Sequence, residues 1–205
     1  MTETSKQGPG TQTATPRELT TDEGFRMFYE QTQPAVYRLC RFQTGDAETA
    51  RDLSQEAFAQ AYRARRSLRD PAGGRAWMLR IALNACRSHA RRRSLAAFMR
   101  SLLPWTDAAV TGIADSTPGP EATVEQRERE RSLRAALDSL PARERTALAL
   151  VGLEELSYAA AASVMECSEE AVRQGVCRAR RRLRETLGAD AAAERVAAQP
   201  AGGLP

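Results

Sequence analysis

The chain has 205 residues and a formal net charge of +4, and 42% of its residues are hydrophobic while only 5% are aromatic. That length corresponds to one or two domains, and the composition supplies small cores built from Leu, Ala and Val. A single histidine and four cysteines without metal-ligand spacing argue against a zinc site and against histidine-dependent catalysis. Neither a nucleotide-binding loop nor a nucleophile–base pair stands out, so we expect no enzyme, no cofactor and no bound metal.

The N-terminal segment, residues 1–20, is rich in Thr, Gln, Gly and Pro and predicts a disordered tail. It lacks the apolar core of a signal peptide, and no apolar run in the chain is long enough to cross a bilayer. We therefore expect a cytoplasmic protein without direct membrane insertion.

The first helical pattern begins at Thr21 or Asp22. Pro34 predicts a break in it, because a proline inside a helix costs about 3 kcal/mol. After a short turn, Asp46 is placed to cap a second helix that extends to about Arg66. One face of the second helix is apolar and is expected to be buried: Leu53, Ala57, Phe58, Ala61 and Tyr62. The opposite face carries Asp52, Gln55 and Glu56.

A basic stretch follows a loop that contains Pro and Gly. No acidic residue occurs between Asp70 and Asp107, whereas seven arginines do, and such a stretch attracts nucleic acid or an anionic membrane. We predict a helix over residues 75–93, in which an aromatic ring, an amide and several guanidinium groups share one edge: Trp77, Arg80, Asn84, Arg87 and Arg91. That edge can stack on bases and hold phosphates. A half-buried core tryptophan beside a solvated arginine face would give the same pattern.

Residues 95–128 contain several prolines and predict a short helical extension followed by a flexible linker. The extension carries an apolar patch that packs on the first domain or meets a partner: Leu95, Phe98, Met99, Leu102, Leu103 and Trp105. If the two halves of the free protein fold against each other, we expect the contact to involve Leu102, Leu103 and Trp105.

The helical pattern resumes at Glu125, and Pro141 and Gly152 are expected to open and end a further helix. Ser157 then reads as the cap of a short helix over residues 158–165, which a turn at residues 166–167 ends. Ser168 reads as the cap of the next helix.

That last helix is basic and amphipathic. It has an apolar stripe with three- and four-residue spacing: Val172, Val176, Ala179, Leu183 and Leu187. Several polar residues lie off the stripe: Arg173, Gln174, Arg178, Arg181 and Arg182. Two helices about a short turn, the second one basic, are typical of a helix-turn-helix, although an ordinary helical hairpin with a solvated face is the alternative. After Gly188 we expect a frayed tail.

Two groups of short motifs stand out. The first consists of residues 52–58 (DLSQEAF) and 75–84 (RAWMLRIALN), and the second of residues 140–145 (LPARER), 156–158 (LSY), 171–173 (AVR) and 178–184 (RARRRLR). They resemble region 2 and region 4, respectively, of the extracytoplasmic-function (group IV) sigma factors of bacteria. The resemblance covers about residues 22–94 and 129–188 and implies an all-α fold with two small helical domains joined by a flexible linker.

The resemblance implies a sigma factor that binds core RNA polymerase and directs promoter-specific transcription initiation. The domains it implies are a region 2 domain over residues 21–94, a linker over 95–128, a region 4 helix-turn-helix domain over 129–188 and a disordered tail over 189–205. It also implies an anti-sigma factor that covers the DNA-binding faces and releases the protein on a stress or envelope signal.

The resemblance assigns three sets of residues by position. The core polymerase-binding set is Asp52, Leu53, Gln55 and Glu56, with Phe58 expected in the core. The set for opening and binding the minus-ten element is Arg75, Trp77, Arg80, Asn84, Arg87 and Arg91. The set for the minus-thirty-five element is Ser168, Glu169, Glu170, Arg173, Gln174, Arg178 and Arg181.

The sequence departs from the family pattern at several positions. Gly74 stands where an aromatic is frequent. Glu166 stands where the turn usually has Gly, which predicts about 1 kcal/mol of strain or a different turn. Gly175 costs about 1 kcal/mol of helix propensity, and we expect it to remove a phosphate or base contact.

Two other functions are compatible with parts of the sequence. An ordinary helix-turn-helix regulator would act without core polymerase, but it leaves the polar face of the second helix and the basic edge of the third without a role. A thiol redox sensor would need an exposed, activated cysteine. Cys177 lies among arginines and is the best candidate, although no second cysteine lies at motif spacing.

Overall fold

The structure is a computed structural model that describes residues 19–68, 73–102 and 124–197. Over these ranges every regular element is helical, which confirms the predicted all-α class. The helices are α1 (Asp22–Thr44), α2 (Ala47–Ala64), α3 (Gly74–Leu102), α4 (Val124–Asp138), α5 (Ala142–Leu148), α6 (Tyr158–Met165) and α7 (Glu169–Ala197). A 3-10 turn (Arg65–Ser67) follows α2, and a π-helical turn (Ala149–Leu153) follows α5.

Helix α1 is continuous through Pro34, so the predicted break is wrong. Pro34 is exposed, as is Glu30, the residue whose carbonyl a backbone N–H at position 34 would have bonded. Because water can solvate that carbonyl, the lost bond is less costly than it is in a buried helix. The helix begins at Thr21, whose hydroxyl accepts a hydrogen bond from the Gly24 N–H at 3.0 Å.

The turn between α1 and α2 has the predicted capping residue. Gly45 ends α1 in the left-handed region with φ 76°, a conformation that glycine adopts without a Cβ penalty. The Asp46 carboxylate accepts a hydrogen bond from the Thr49 N–H at 2.6 Å and begins α2. Hydrogen bonds from Thr49 hold the pKa of Asp46 below its usual value.

The core of α1–α3, hereafter the N-terminal bundle, is built from small apolar side chains and a few aromatic rings. The fully buried side chains include Phe28, Val36, Leu39, Met78, Leu79 and Leu83. The predicted core positions on α2 are buried with one exception. Tyr62 is 39% exposed, because its hydroxyl donates to the Asp22 carboxylate at 2.7 Å on the surface.

Helices α4–α7, hereafter the C-terminal helices, include the predicted helix-turn-helix. Ser157 and Ser168 cap α6 and α7: their hydroxyls accept hydrogen bonds from the N–H groups of Ala160 at 3.1 Å and Ala171 at 3.2 Å. The turn between the helices contains Glu166 in the left-handed region, at φ 55° and ψ 51°. Of the two predicted alternatives, backbone strain or a different turn, the structure therefore has the strained one. The Cys167 N–H then bonds to the Ala162 carbonyl at 3.1 Å and closes the turn.

Helix α7 differs from the prediction at two glycines. Gly175 is buried, and a Cβ at this position would lie 3.3 Å from the Cβ of Ala147 on α5. It therefore allows α5 and α7 to approach, and the expectation that it removes a DNA contact is wrong. Gly188 does not end the helix, which continues to Ala197, because the alanine-rich sequence that follows has high helix propensity. Residues 198–205 of the predicted tail lie outside the described part.

The two halves of the chain pack against each other. Helix α3 contacts α6, and α1 contacts the π-helical turn. Between the same halves, the Gln43 amide donates to the Thr146 hydroxyl at 3.1 Å. The predicted contacts through Leu102, Leu103 and Trp105 involve side chains outside the described part. Residues 1–18 of the predicted tail (1–20) also lie outside it. Residues 19 and 20 are helical and Leu19 is buried in the core, so the prediction of disorder is wrong for these two residues.

Candidate polymerase-binding and DNA-binding surfaces

The polar face of α2 has the predicted orientation. Asp52 and Gln55 are exposed, and Glu56 is partly exposed. Glu56 accepts a hydrogen bond from Gln60 at 3.0 Å and lies 3.9 Å from Arg92 on α3. The face therefore presents a carboxylate and an amide with free access and one carboxylate with weak intramolecular partners.

Leu53 and Phe58, by contrast, belong to the core. Leu53 is only 3% exposed, so its inclusion among the residues that touch a partner is wrong. It lies on the apolar side of α2, where it packs against the bundle and supports the polar face indirectly. Phe58 is buried as expected and contacts Tyr29, with 4.5 Å between the ring centroids.

The basic edge of α3 is divided by the packing of the two halves. In its first two turns, Trp77 is half-buried and lies against Phe28, with 6.4 Å between the ring centroids. Trp77 and Arg80 also line a cleft of about 180 Å³, to which Ser163 of α6 contributes as well. Trp77 thus packs against the core at Phe28 and also lines the cleft, so both interpretations of this side chain apply in part.

Further along the same edge the side chains are more accessible. Asn84 and Arg91 are exposed, and Arg87 is partly exposed. Arg91 donates to the Ser88 hydroxyl at 3.3 Å, which orders its guanidinium without using its charge. This outer part of the edge remains available to a polyanion while the C-terminal helices are in place.

The first turn of α3 makes a charged contact that the sequence analysis did not identify. Arg75 donates to the carboxylate and to the backbone carbonyl of Glu154, both at 3.1 Å. The same carboxylate accepts two hydrogen bonds from Arg38 on α1, at 3.0 and 2.8 Å, and these bonds raise the pKa of the Arg38 guanidinium. The contact was missed because Glu154 and Arg38 are 116 positions apart in the chain.

The first turns of α7 present the predicted residues in a locally ordered arrangement. The Ser168 hydroxyl is used as the cap, whereas Glu169 and Glu170 are exposed. Gln174 donates to Glu170 at 2.9 Å. The guanidinium of Arg173 lies 4.6 Å from the centroid of the Tyr158 ring, and it also lies 3.8 Å from Glu170.

A second buried carboxylate organises the later turns of α7. Glu144 of α5 is 7% exposed, and it lies 3.0 Å from Arg178 Nε and 3.2 Å from Arg182 Nε. Glu144 therefore orients the Arg178 side chain. Arg181 is exposed, and its distance of 3.9 Å from Glu185 makes that ion pair weak. The sequence offered one signal for Glu144: it is the acidic residue of the LPARER motif.

The cysteines divide into a buried pair and two more accessible residues. The Sγ atoms of Cys40 and Cys86 are 3.7 Å apart in the core, where a hydrogen bond between the thiols and burial raise the pKa of Cys40. A raised thiol pKa disfavours the reactive thiolate. Cys177 is exposed, as the redox alternative requires. Over the described ranges, no group of three or more His, Cys, Asp or Glu could hold a metal ion, and no helix could span a membrane.

Over the described ranges, the fold and these surfaces define a helical protein of two parts, with a helix-turn-helix in the second. The Sigma-70 region 2 model matches residues 28–95, and the Sigma-70, region 4 model matches residues 130–183. The chain is 34% identical to the ECF RNA polymerase sigma factor EcfG of Rhodopseudomonas palustris over 149 residues, which cover 73% of this chain and 77% of EcfG. It is 31% identical to SigM of Mycobacterium tuberculosis over 167 residues, which cover 82% of this chain and 76% of SigM. The chain belongs to the extracytoplasmic-function (ECF) sigma factor family, as its motifs indicated.

Solved structures support the fold. The sigma factor RpoE from Bartonella quintana, determined in complex with the anti-sigma factor NepR, matches with a TM-score of 0.65 and 24% identity. That match covers 81% of this chain and 98% of RpoE. CnrH, in complex with the cytosolic domain of CnrY, matches with a TM-score of 0.63 and 22% identity over 85% of this chain and 96% of CnrH.

Proposed function

We propose that this sigma factor binds core RNA polymerase through the polar face of α2 and directs promoter-specific initiation through α3 and α7. The observation that carries the proposal is the presence of all three surfaces in one chain, in the order of sigma regions 2 and 4. The protein has no catalytic role of its own in this proposal. It selects promoters in the cytoplasm, where it meets polymerase and DNA.

The polymerase-binding surface consists of Asp52, Gln55 and Glu56. Their side chains are exposed or partly exposed on the side of α2 away from the core. An acidic patch favours a basic partner, because complementary potentials speed association and exclude like-charged surfaces. Leu53 contributes by fixing α2 against the bundle.

The minus-ten surface is the basic edge of α3, formed by Arg75, Trp77, Arg80, Asn84, Arg87 and Arg91. The accessible part of the Trp77 indole offers a stacking platform worth about 1–3 kcal/mol per base. The guanidinium groups along the edge supply phosphate contacts, and the Asn84 amide supplies hydrogen bonds to a base edge.

The minus-thirty-five surface is the beginning of α7. Arg173 and Gln174 occupy the early turns that meet base edges in such motifs. Ser168 caps the helix, and Glu170 orients the neighbouring Arg173 and Gln174. Glu169 and Glu170 both place negative charge at the positive end of the helix dipole. Arg178 and Arg181 lie further along and are assigned to backbone phosphates.

We divide the chain into a tail (1–20), a region 2 domain (21–94), a linker (95–128), a region 4 domain (129–188) and a second tail (189–205). The two domains act on separate promoter elements, and the linker lets them separate. An anti-sigma factor is a further proposed partner, supported by the likeness to RpoE and CnrH, which were determined with NepR and CnrY.

The test is binding to core polymerase and run-off transcription from genomic promoters. The double variant Asp52→Arg, Glu56→Arg is expected to lose at least about a hundredfold in affinity for core enzyme, or about 2.7 kcal/mol, because like charges at an interface repel. A matched control, Glu128→Arg with Glu130→Arg, changes the net charge equally on the exposed surface of α4 and is expected to bind normally.

Circular dichroism first establishes that both double variants are folded. Equal affinity of the two would place the docking surface elsewhere. Tight and specific promoter binding by the wild-type protein without core enzyme, together with no retention on core enzyme, would favour an ordinary helix-turn-helix regulator.

A further inference from the structure

Glu154 joins the two halves of the molecule. It lies between the π-helical turn and α6 and is 1% exposed. Arg38 donates to both of its carboxylate oxygens, at 3.0 and 2.8 Å, and Arg75 donates to one of them at 3.1 Å. The carboxylate belongs to the C-terminal helices, whereas both arginines belong to the N-terminal bundle.

The backbone around Glu154 is arranged to direct this side chain inward. The Glu154 N–H bonds to the Ala149 carbonyl at 3.0 Å and ends the π-helical turn. The next residue, Glu155, has φ 53°, which is costly for a residue with a Cβ. Both features are uncommon, and both recur at functional positions. Of the two adjacent glutamates, one is thereby buried against arginines and the other stays exposed.

The arginines are arranged as a receptor for an oxyanion. Arg38 uses its Nε and Nη2 atoms as a two-pronged donor, and Arg75 approaches the same carboxylate from another helix. Such a pair suits a phosphate as well as a carboxylate. With Glu154 in place, the two side chains are still 46% and 42% exposed. Because both guanidinium groups remain charged without Glu154, the site favours another anion once Glu154 leaves.

A second carboxylate repeats the arrangement along α3. Glu166, in the turn of the helix-turn-helix, lies 4.0 Å from Arg80, and Ser163 of α6 lines the cleft beside Trp77. The C-terminal helices thus place carboxylates against arginines at both ends of the covered part of α3. The two carboxylates thus place negative charge where the phosphates of a DNA backbone would place it on the same surface.

We infer that Arg38 and Arg75 form a binding site for a backbone phosphate of promoter DNA, and that Glu154 occupies this site while the two halves are packed together. The inference rests on the proposed function, in which α3 binds promoter DNA, and it adds Arg38 to that surface. Glu154 and the phosphate compete for the same guanidinium groups. DNA therefore binds the N-terminal bundle after the C-terminal helices have moved away.

The competition is tested with the full-length protein and a pair of charge-matched variants. Glu154→Gln preserves side-chain volume but removes the charge that attracts both arginines, and Glu155→Gln removes one charge from the exposed neighbour. Small-angle X-ray scattering measures compactness, and fluorescence anisotropy measures binding to a fluorescein-labelled duplex. We expect Glu154→Gln to be expanded and to bind DNA about fivefold more tightly or better. Glu155→Gln is expected to stay compact and to bind much less tightly than Glu154→Gln.

The phosphate site is tested by adding Arg38→Gln to the Glu154→Gln variant. Removing one phosphate contact is expected to weaken DNA binding and to lower the slope of log affinity against log salt by about one. Arg26→Gln in the same background removes a charge from an exposed α1 side chain and is expected to leave the slope nearly unchanged. Arg38→Gln alone should expand the protein without increasing its DNA affinity. This single variant tests the inference even if Glu154→Gln does not fold.

Two results would overturn the inference. One is equal DNA affinity of folded Glu154→Gln and Glu155→Gln, and the other is an unchanged salt slope when Arg38→Gln is added. Run-off transcription by the wild-type protein with core enzyme separates these failures from a failure of the proposed function. If transcription is promoter-specific but the variants do not differ, only the role of the Arg38–Arg75 site is wrong.

Discussion

Glu166 ends α6 with φ 55° and ψ 51° and so holds a left-handed conformation that a side chain makes costly. Its backbone N–H nevertheless bonds to the Ala162 carbonyl, and the contact between its carboxylate and Arg80 is 4.0 Å long and largely exposed. An exposed ion pair of that length contributes little to stability. The residue therefore holds a turn geometry that glycine would hold more easily.

We expect Glu166→Gly to stabilise the protein by about 0.5–1 kcal/mol, because relief of the left-handed penalty exceeds the entropy that glycine adds to the unfolded chain. Urea unfolding followed by circular dichroism measures the change. The control, Glu185→Gly, replaces an exposed glutamate inside α7 and is expected to cost about 1 kcal/mol. Loss of stability in both variants would show that the turn does not need a left-handed residue.

For single residues, helix caps were predictable from the sequence, whereas ion pairs between residues far apart in the chain were not. Ser157, Ser168 and Asp46 cap their helices as expected, because a cap depends on neighbours within a few positions. The burial of the Glu144 and Glu154 carboxylates was not predicted. Their arginine partners are 34 or more positions away in the chain, and a short sequence window contains no trace of the pairing.

Helix α7 contains two glycines with opposite environments. Gly175 faces α5, with Ala147 Cβ 3.3 Å from the position of an added Cβ, whereas nothing lies within 4 Å of an added Cβ at Gly188. From the sequence, Gly175 was expected to weaken the helix and Gly188 to precede a frayed tail. Only the packing of α5 against α7 distinguishes a glycine that permits close approach from one that does not.

The same substitution should therefore have opposite effects at the two positions. Gly175→Leu is expected to cost about 1–3 kcal/mol by overpacking the contact with α5. Gly188→Leu should be neutral or stabilise by up to about 1 kcal/mol, because leucine has the higher helix propensity. Thermal unfolding of both variants measures the difference. Equal changes in melting temperature would mean that α5 and α7 are not in close contact at Gly175.

Whole elements were predictable wherever periodicity decided them. The apolar stripes of α2 and α7 were correctly assigned at Leu53, Ala57, Val172 and Val176, all of which are buried. Pro34 was misjudged because helix propensity ignores where the unpaired carbonyl points. The orientation of the two halves depends on pairs of side chains from different elements, such as Gln43 with Thr146, Arg75 with Glu154 and Arg80 with Glu166. No single element's pattern therefore specifies it.

The packing of the described halves brings α6 to the cleft beside Trp77 and pairs Arg75 with Glu154. We therefore expect the isolated protein to bind promoter DNA weakly. Core polymerase should strengthen specific binding at least tenfold, or about 1.4 kcal/mol, by holding the two halves apart. Anisotropy titrations of a labelled promoter, with and without core enzyme, measure the ratio. A ratio near one would mean that the packed arrangement does not limit access to DNA.

The contact between Arg75 and Glu154 spans 79 positions of the chain. A ribosome adds about 5–20 residues per second, so roughly 4–16 s separate the synthesis of the two residues. During this interval the N-terminal bundle has its arginines but not the carboxylate that occupies them. In each newly made molecule the Arg38–Arg75 site is therefore vacant at first. Glu154 occupies it only after the C-terminal helices have been synthesised.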